Sequence, residues 1–165
     1  MDMSRLSGSR VLVTGGAGFV GSNLVVKLLN EADVKSVTVV DNFLSSEPES
    51  LPIDPRVRLV VGSIADPRIL SALPPHLDYV FHLSCFHGNQ SSIANPLMDH
   101  ENNLFPSLRL FEALSGRDEI KRVVYAAAGC AVAKKTASDP EATPEDAPVS
   151  LFHDSPYSIS KLVGE

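Results

Sequence analysis

The chain has no tryptophan, only two cysteines and no cluster of lysine or arginine. Two thiols, Cys85 and Cys130, are too few for a disulfide framework. A net charge of −6 at pH 7 without a basic patch argues against a phosphate backbone or an anionic bilayer as partner, so neither nucleic acid nor membrane is expected. Long apolar runs are missing too. The longest are of strand length, far below the ~20 residues of a membrane span. The opening MDMSRLSGSR lacks the apolar centre of a secretory signal. These absences lead us to expect a soluble, cytoplasmic protein.

What remains is 165 residues with 44% hydrophobic content, enough to bury the core of one ordinary domain and little more. Short β-branched runs at Arg10–Thr14, Ser36–Val40, Val57–Val61, Tyr79–Leu83 and Arg122–Ala127 alternate with segments of helical spacing, the first over Phe19–Asn30. Parallel strands need crossovers, which are usually helical, so the alternation predicts an α/β fold with a doubly wound parallel sheet. Pro96 suits the start of a helix, whereas Pro106 is expected to kink or divide one. Two proline-rich stretches interrupt the pattern. Phe43–Arg56 fits a mobile excursion, and Lys134–Pro156 fits a lid or substrate-facing loop.

Gly15, Gly18 and Gly21 form GxxGxxG after the first strand and at the mouth of the first helix. In that context a tight turn brings backbone N–H groups against a pyrophosphate. Asp41 ends the second strand twenty residues beyond Gly21, where a carboxylate accepts the hydroxyls of an adenosine ribose and repels a 2′-phosphate. NAD is therefore expected rather than NADP. Far downstream, Tyr157 and Lys161 of YSISK stand four apart and share one helix face. An ammonium beside a phenol stabilises the phenolate, which can then take a proton from a substrate hydroxyl.

With these motifs in order, the chain resembles the extended short-chain dehydrogenase/reductase superfamily, in its NAD-dependent sugar-nucleotide epimerase/dehydratase branch. TGGAGFVG (Thr14–Gly21) matches the family's opening and DNFLSS (Asp41–Ser46) resembles its ribose-binding turn. FHLSC (Phe81–Cys85) resembles FHLAA, and NNLFPS (Asn102–Ser107) resembles NVxGT beginning at Asn103, with Pro106 for the usual Gly. SPYSISKLVGE matches the catalytic helix. The resemblance implies a Rossmann fold over residues 1–165 that ends within the Tyr–Lys helix, the family's substrate domain being absent from this chain. It places Phe19 and Val20 against the pyrophosphate, Asp41 and Asn42 on the adenosine ribose, and Ser63 and Ile64 beside the adenine. Leu83, Ser84 and His87 would line the nicotinamide, with Asn102 nearby. Lys161 would hold the nicotinamide ribose and Tyr157 would be the general base. A nucleotide-sugar substrate is implied, as is a homodimer through the helices around 97–115 and 155–165.

The chain also departs from that pattern. The family's fifth strand usually leads to a Ser or Thr that hydrogen-bonds the reacting hydroxyl; here Ala128 takes that position within AAAGCAVA (Ala126–Ala133). A replacement hydroxyl or thiol is sought in Cys130, Ser160 or the long loop. Dehydratases carry Asp-Glu just after that Ser/Thr, where this chain has Gly129 and Cys130, so epimerisation or simple oxidoreduction is expected over elimination. Members of the branch are considerably longer, so this chain is expected to be the cofactor half of a larger enzyme, with Leu162 and Val163 expected as apolar surface. The rival reading is an NAD-binding module without turnover, serving sensing or assembly. HLSCFH invites a metal reading through His82, Cys85 and His87, but a strand sets His82 and Cys85 on opposite faces and no fourth ligand is evident. Cys85 is expected to pack as a small apolar residue, and a redox pair with Cys130 is a remote alternative. His100 and His153 are expected to face solvent, and the acids Asp139, Glu141, Glu145 and Asp146 to form a solvated loop face.

Overall fold

The computed structural model describes residues 3–86, 88–129, 144, 149 and 153–165. His87, Cys130, the acids of the long loop and most of Lys134–Pro156 lie outside the described residues. The chain divides into two compact units: one comprises Met1–Cys85 and Pro106–Ala126, the other Phe86–Phe105 and Ala127–Glu165.

The first unit is built on five parallel strands, β1 (Arg10–Thr14), β2 (Ser36–Asp41), β3 (Val57–Val61), β4 (Tyr79–His82) and β5 (Arg122–Tyr125), ordered β3-β2-β1-β4-β5. Three of the strands differ by one or two residues from their expected ends. β2 runs on to Asp41, while β4 and β5 stop at His82 and Tyr125, where the chain leaves the ladder. The order follows from the alternation of strand and helix: parallel neighbours demand crossovers, and β1 sits centrally because the chain winds outward on one side and then the other.

Period two along β1 feeds two separate cores. Val11 and Val13 point to one face and pack with Val37 and Val39 of β2 against Val25, Leu28 and Leu29 of helix α1 (Phe19–Glu31). Leu12, between them, points to the other face and joins Val40, Val80, Leu73, Leu77 and Leu110. Leu110 belongs to a later helix of the chain, Phe105–Leu114. A strand buried on both faces has no polar side to show, which is why β1 and β2 read as unbroken β-branched runs. Each fully buried Val or Leu contributes about 1.5–3 kcal/mol. Asp78 secures the sheet's lower end: it accepts the Arg10 backbone N–H at 2.8 Å and lies 3.3 Å from Lys121 Nζ. Short helix α2 (Pro67–Ser71) starts with Asp66 as a side-chain cap and Pro67 in the first turn. The excursion expected over Phe43–Arg56 is pinned at its end, where Arg56 bonds both oxygens of Asp54 and the Leu29 carbonyl.

The second unit contains α3 (Asn89–Ala94), α4 (Pro96–Asp99), a π-helical turn at His100–Leu104 and, near the end of the chain, a capped helix. Among its described residues the fully buried side chains are polar: Ser92, Asp99, Asn103, Ser155, Ser158, Ser160 and Lys161. The π turn leads directly into α5 (Phe105–Leu114). Pro106 neither divides the helix nor ends it. Its ring cannot supply the ordinary i→i−4 donor, and the wider turn before it absorbs that mismatch. Pro96 occupies the first turn of α4, where no donor is required.

Candidate active site

The glycine motif, Asp41 and the Leu83–Ser84 segment gather at the carboxyl ends of β1, β2 and β4, the edge where parallel α/β sheets bind ligands. Gly15 follows Thr14 with φ +68, and a Cβ there would stand 2.7 Å from the Ser84 main chain. A Cβ on Gly21 would fall 2.2 Å from the Gly15 carbonyl. Gly16 is as constrained, with Val39 Cγ1 2.7 Å from its missing Cβ, a position the motif spacing did not single out. Gly18 is the residue before α1, and no side chain caps the N–H groups that follow. Phe19, at 87% exposure, and exposed Val20 form the open lip of that turn. Free N–H groups and the positive end of the helix dipole face outward there, which suits a pyrophosphate.

Asp41 is 8% exposed and bound to the turn itself. Its Oδ2 accepts Ala17 N–H at 2.9 Å, and its Oδ1 accepts Phe43 N–H at 3.0 Å and the Ser46 hydroxyl at 2.9 Å. Phe43 adopts φ +56, a costly conformation for an aromatic residue, held in part by that contact. Asn42 is exposed and its side chain accepts Leu44 N–H. Ser63 Oγ accepts Ala65 N–H, while Ile64 is buried in the second core. Leu83 packs against the first core, and Ser84 Oγ lies 3.1 Å from Thr14 Oγ1.

Behind this edge His82 is buried with both ring nitrogens engaged by hydroxyls: Nδ1 with Thr14 Oγ1 at 2.6 Å and Nε2 with Ser107 Oγ at 2.8 Å. Phe111 and Tyr125 flank the ring. Cys85 is exposed rather than packed, because β4 ends three residues before it and the chain has left the core.

In the second unit α6 (Pro156–Gly164) is opened by Ser155, whose Oγ accepts Ser158 N–H at 3.2 Å, and by Pro156 in the first turn. The four-residue spacing does bring Tyr157 and Lys161 together: Lys161 Nζ is 5.9 Å from the Tyr157 ring centroid. Lys161 is 2% exposed and Tyr157 half-buried, so the cation acts on the ring with little screening by water. Leu162 is half-buried and Val163 is 50% exposed.

Asn102 is half-buried, with its side chain turned back to the Met98 carbonyl. Its neighbour Asn103 is buried and holds Phe86 by both main-chain groups, accepting its N–H at 2.7 Å and donating to its carbonyl at 2.9 Å. The NVxGT-like motif, which begins at Asn103, was the signal for it. Ala128 brings no hydroxyl. Ser160 does not replace it, because that side chain is fully buried and bonded to Asp99 and His100. His100 is accordingly half-buried rather than solvent-facing, and His153 is half-buried with its Nδ1 enclosed.

The two halves thus hold distinct equipment: a closed-in glycine turn with a carboxylate beside it, and a helix pairing a phenol with an ammonium. The missing Cβ atoms of the turn leave room for a phosphate to approach the backbone, so the residues present fit a dinucleotide. Comparison with known proteins agrees. Residues 11–165 match the model of the NAD dependent epimerase/dehydratase family. UDP-glucose 4-epimerase 3 of Oryza sativa subsp. japonica is 33% identical over 96% of this chain and 43% of its own length. The dTDP-glucose 4,6-dehydratase of Mycolicibacterium smegmatis is 35% identical over 64% of this chain and 32% of its own. The Bordetella bronchiseptica enzyme WbmF, crystallised with NAD+ and also with NAD+ and UDP, superposes with a TM-score of 0.82 in the NAD+ complex. In that complex it is 48% identical, with 98% of this chain and 44% of WbmF covered. The chain spans less than half the length of these relatives. With the match running from β1 to the last residue, the chain belongs to the NAD-dependent epimerase/dehydratase family.

Proposed function

We propose that the chain is the cofactor-binding part of an NAD-dependent enzyme that epimerises a nucleotide-linked sugar through a transient ketone. The observation that carries this is the glycine turn closed between Ser84 and Asp41, where only glycine fits and a carboxylate stands ready. Gly15, Gly18 and Gly21 with the N–H groups at Phe19 and Val20 would hold the pyrophosphate. Asp41, with Asn42 beside it, would accept an adenosine hydroxyl and disfavour a 2′-phosphate. Ser63 and Ile64 would border the adenine, and Leu83, Ser84 and His87 the nicotinamide. Asn103, rather than Asn102, would secure the segment at Phe86.

When bound, NAD supplies a hydride acceptor that returns what it takes. Tyr157 would remove the proton of the sugar hydroxyl and return it to the same oxygen once the ketone has turned its other face to the hydride donor. Lys161 would favour the phenolate and hold the nicotinamide ribose. The dehydratase Asp-Glu pair is replaced by Gly129 and Cys130, so elimination lacks its acid and base. A cytoplasmic location goes with this reading, since nicotinamide and nucleotide-sugar pools lie there.

A second reading is favoured by one observation. Ala128 lacks the hydroxyl and Ser160 is committed elsewhere, so a module that binds NAD without turnover also accounts for the residues. Calorimetry with NAD, followed by a scan for NADH absorbance with candidate nucleotide sugars, separates the two. Binding with transient reduction that Tyr157→Phe abolishes is expected of the enzyme. Binding without reduction favours the module, and failure to bind NAD defeats both.

A further inference from the structure

A carboxylate is stable in a protein interior only where donors meet it. Asp99 is 1% exposed, and both of its oxygens are met within the second unit. Ser160 Oγ donates to Oδ2 at 2.7 Å and Asn103 Nδ2 donates to Oδ1 at 2.7 Å. Each partner is joined to one part of the proposed site: Ser160 immediately precedes Lys161 on α6, and Asn103 clamps Phe86 by its N–H and carbonyl. A serine has a single hydroxyl proton, and an ionised carboxylate only accepts. Having given its proton to Asp99, Ser160 can only accept at its 2.9 Å contact with His100 Nδ1. His100 must therefore carry a proton on Nδ1, a tautomer fixed by the hydrogen bond rather than by solvent.

We propose that Asp99 is a positioning residue for the Tyr–Lys pair. Through Ser160 it fixes the rotation of α6 that presents Tyr157 and Lys161; through Asn103 it fixes the main chain at Phe86; and it sets the Nδ1–H form of His100. An apolar residue would fill the same space without desolvating a charge, but it would give neither partner a direction. The role rests on the reading of Lys161 as a ligand of the nicotinamide ribose.

The test uses the full chain labelled with 15N-histidine, with nitrogen shifts read at a pH where the imidazole is neutral, and NADH titrations followed by fluorescence. In the wild type His100 should be protonated at Nδ1 and not at Nε2. Asp99→Asn and Ser160→Ala should each abolish that signature and weaken NADH binding by roughly tenfold, the worth of a hydrogen bond to a charged group. Glu101→Gln, on the exposed side of the same turn, should change neither. His100 protonated at Nε2 in the wild type overturns the proposal, as does unchanged NADH affinity in both variants. A wild-type chain that fails to bind NADH overturns the functional reading and this role with it, so the wild-type titration tells the two failures apart. Should Asp99→Asn fail to fold, the wild-type tautomer and Ser160→Ala still decide.

Discussion

Asp41 offers about four acceptor positions, and Ala17, Phe43 and Ser46 already occupy three of them. A ribose can add one hydroxyl at Oδ2, but a second requires Ser46 to let go of Oδ1. Asp41→Ala should therefore lower stability by about 2 kcal/mol with no cofactor present, because buried N–H groups lose a charged acceptor, and should also abolish NAD binding. An unchanged urea midpoint in the cofactor-free variant would refute the structural half of that role. Gly21→Ala should cost about 2–3 kcal/mol, since the added carbon overlaps a carbonyl that cannot retreat; chemical denaturation measures it. Asp78 gives the pH dependence. The Arg10 backbone N–H and then the Lys121 ammonium hold its carboxyl below the usual carboxylate range. A group depressed on folding contributes stability above its unfolded value and loses it as pH falls through the folded one. Asp78→Asn should therefore flatten the acid limb of the stability curve and leave its shape near neutrality unaltered. Gly18 and Gly21 were legible because what crowds them is the turn's own Gly15 carbonyl, and Gly15 because its positive φ belongs to that turn, although Ser84 closes on it as well. Gly16 was not, because what forbids its side chain is Val39, on another strand.

Helix caps are local features of the chain. Asp66–Pro67 and Ser155–Pro156 each set a side-chain acceptor before a residue that needs no donor, and each opens a helix. Ser155→Ala should destabilise by about 1 kcal/mol, with Ser155→Asp close to wild type, by thermal melting followed by circular dichroism. The strands were legible from β-branched runs, and only their ends moved. Less readable was the turn at His100–Leu104. A π turn inserts one residue into the helical repeat, so every side chain beyond it shifts in phase, and α-helical spacing cannot tell which of Asn102 and Asn103 turns inward. Pro106 was the visible sign of irregularity, but the chain answered it by widening rather than breaking.

At the scale of the whole molecule, large apolar side chains stand exposed on several helices. Leu97, at 76% exposure, with Met98, Ile159 and Val163, leaves uncovered apolar area on α4 and α6, and Phe105 and Leu108 do so on α5. Patches of this kind mark association sites, and the resemblance to the family implies a homodimer through the helices around 97–115 and 155–165, which is open to test. Leu97→Glu combined with Val163→Lys should convert a dimer to a monomer in light scattering after gel filtration, with helix content retained; an unchanged mass would exclude these helices. The sheet order β3-β2-β1-β4-β5 carries one more consequence. No strand has to enter between two that are already paired: β2 and β3 add to one side of β1, then β4 and β5 to the other. As the chain leaves the ribosome, each new strand meets a finished edge, and the sheet is gapless at every length. Synthesis and folding can then proceed in step, growth passing from one border of the sheet to the other with never a seam to reopen.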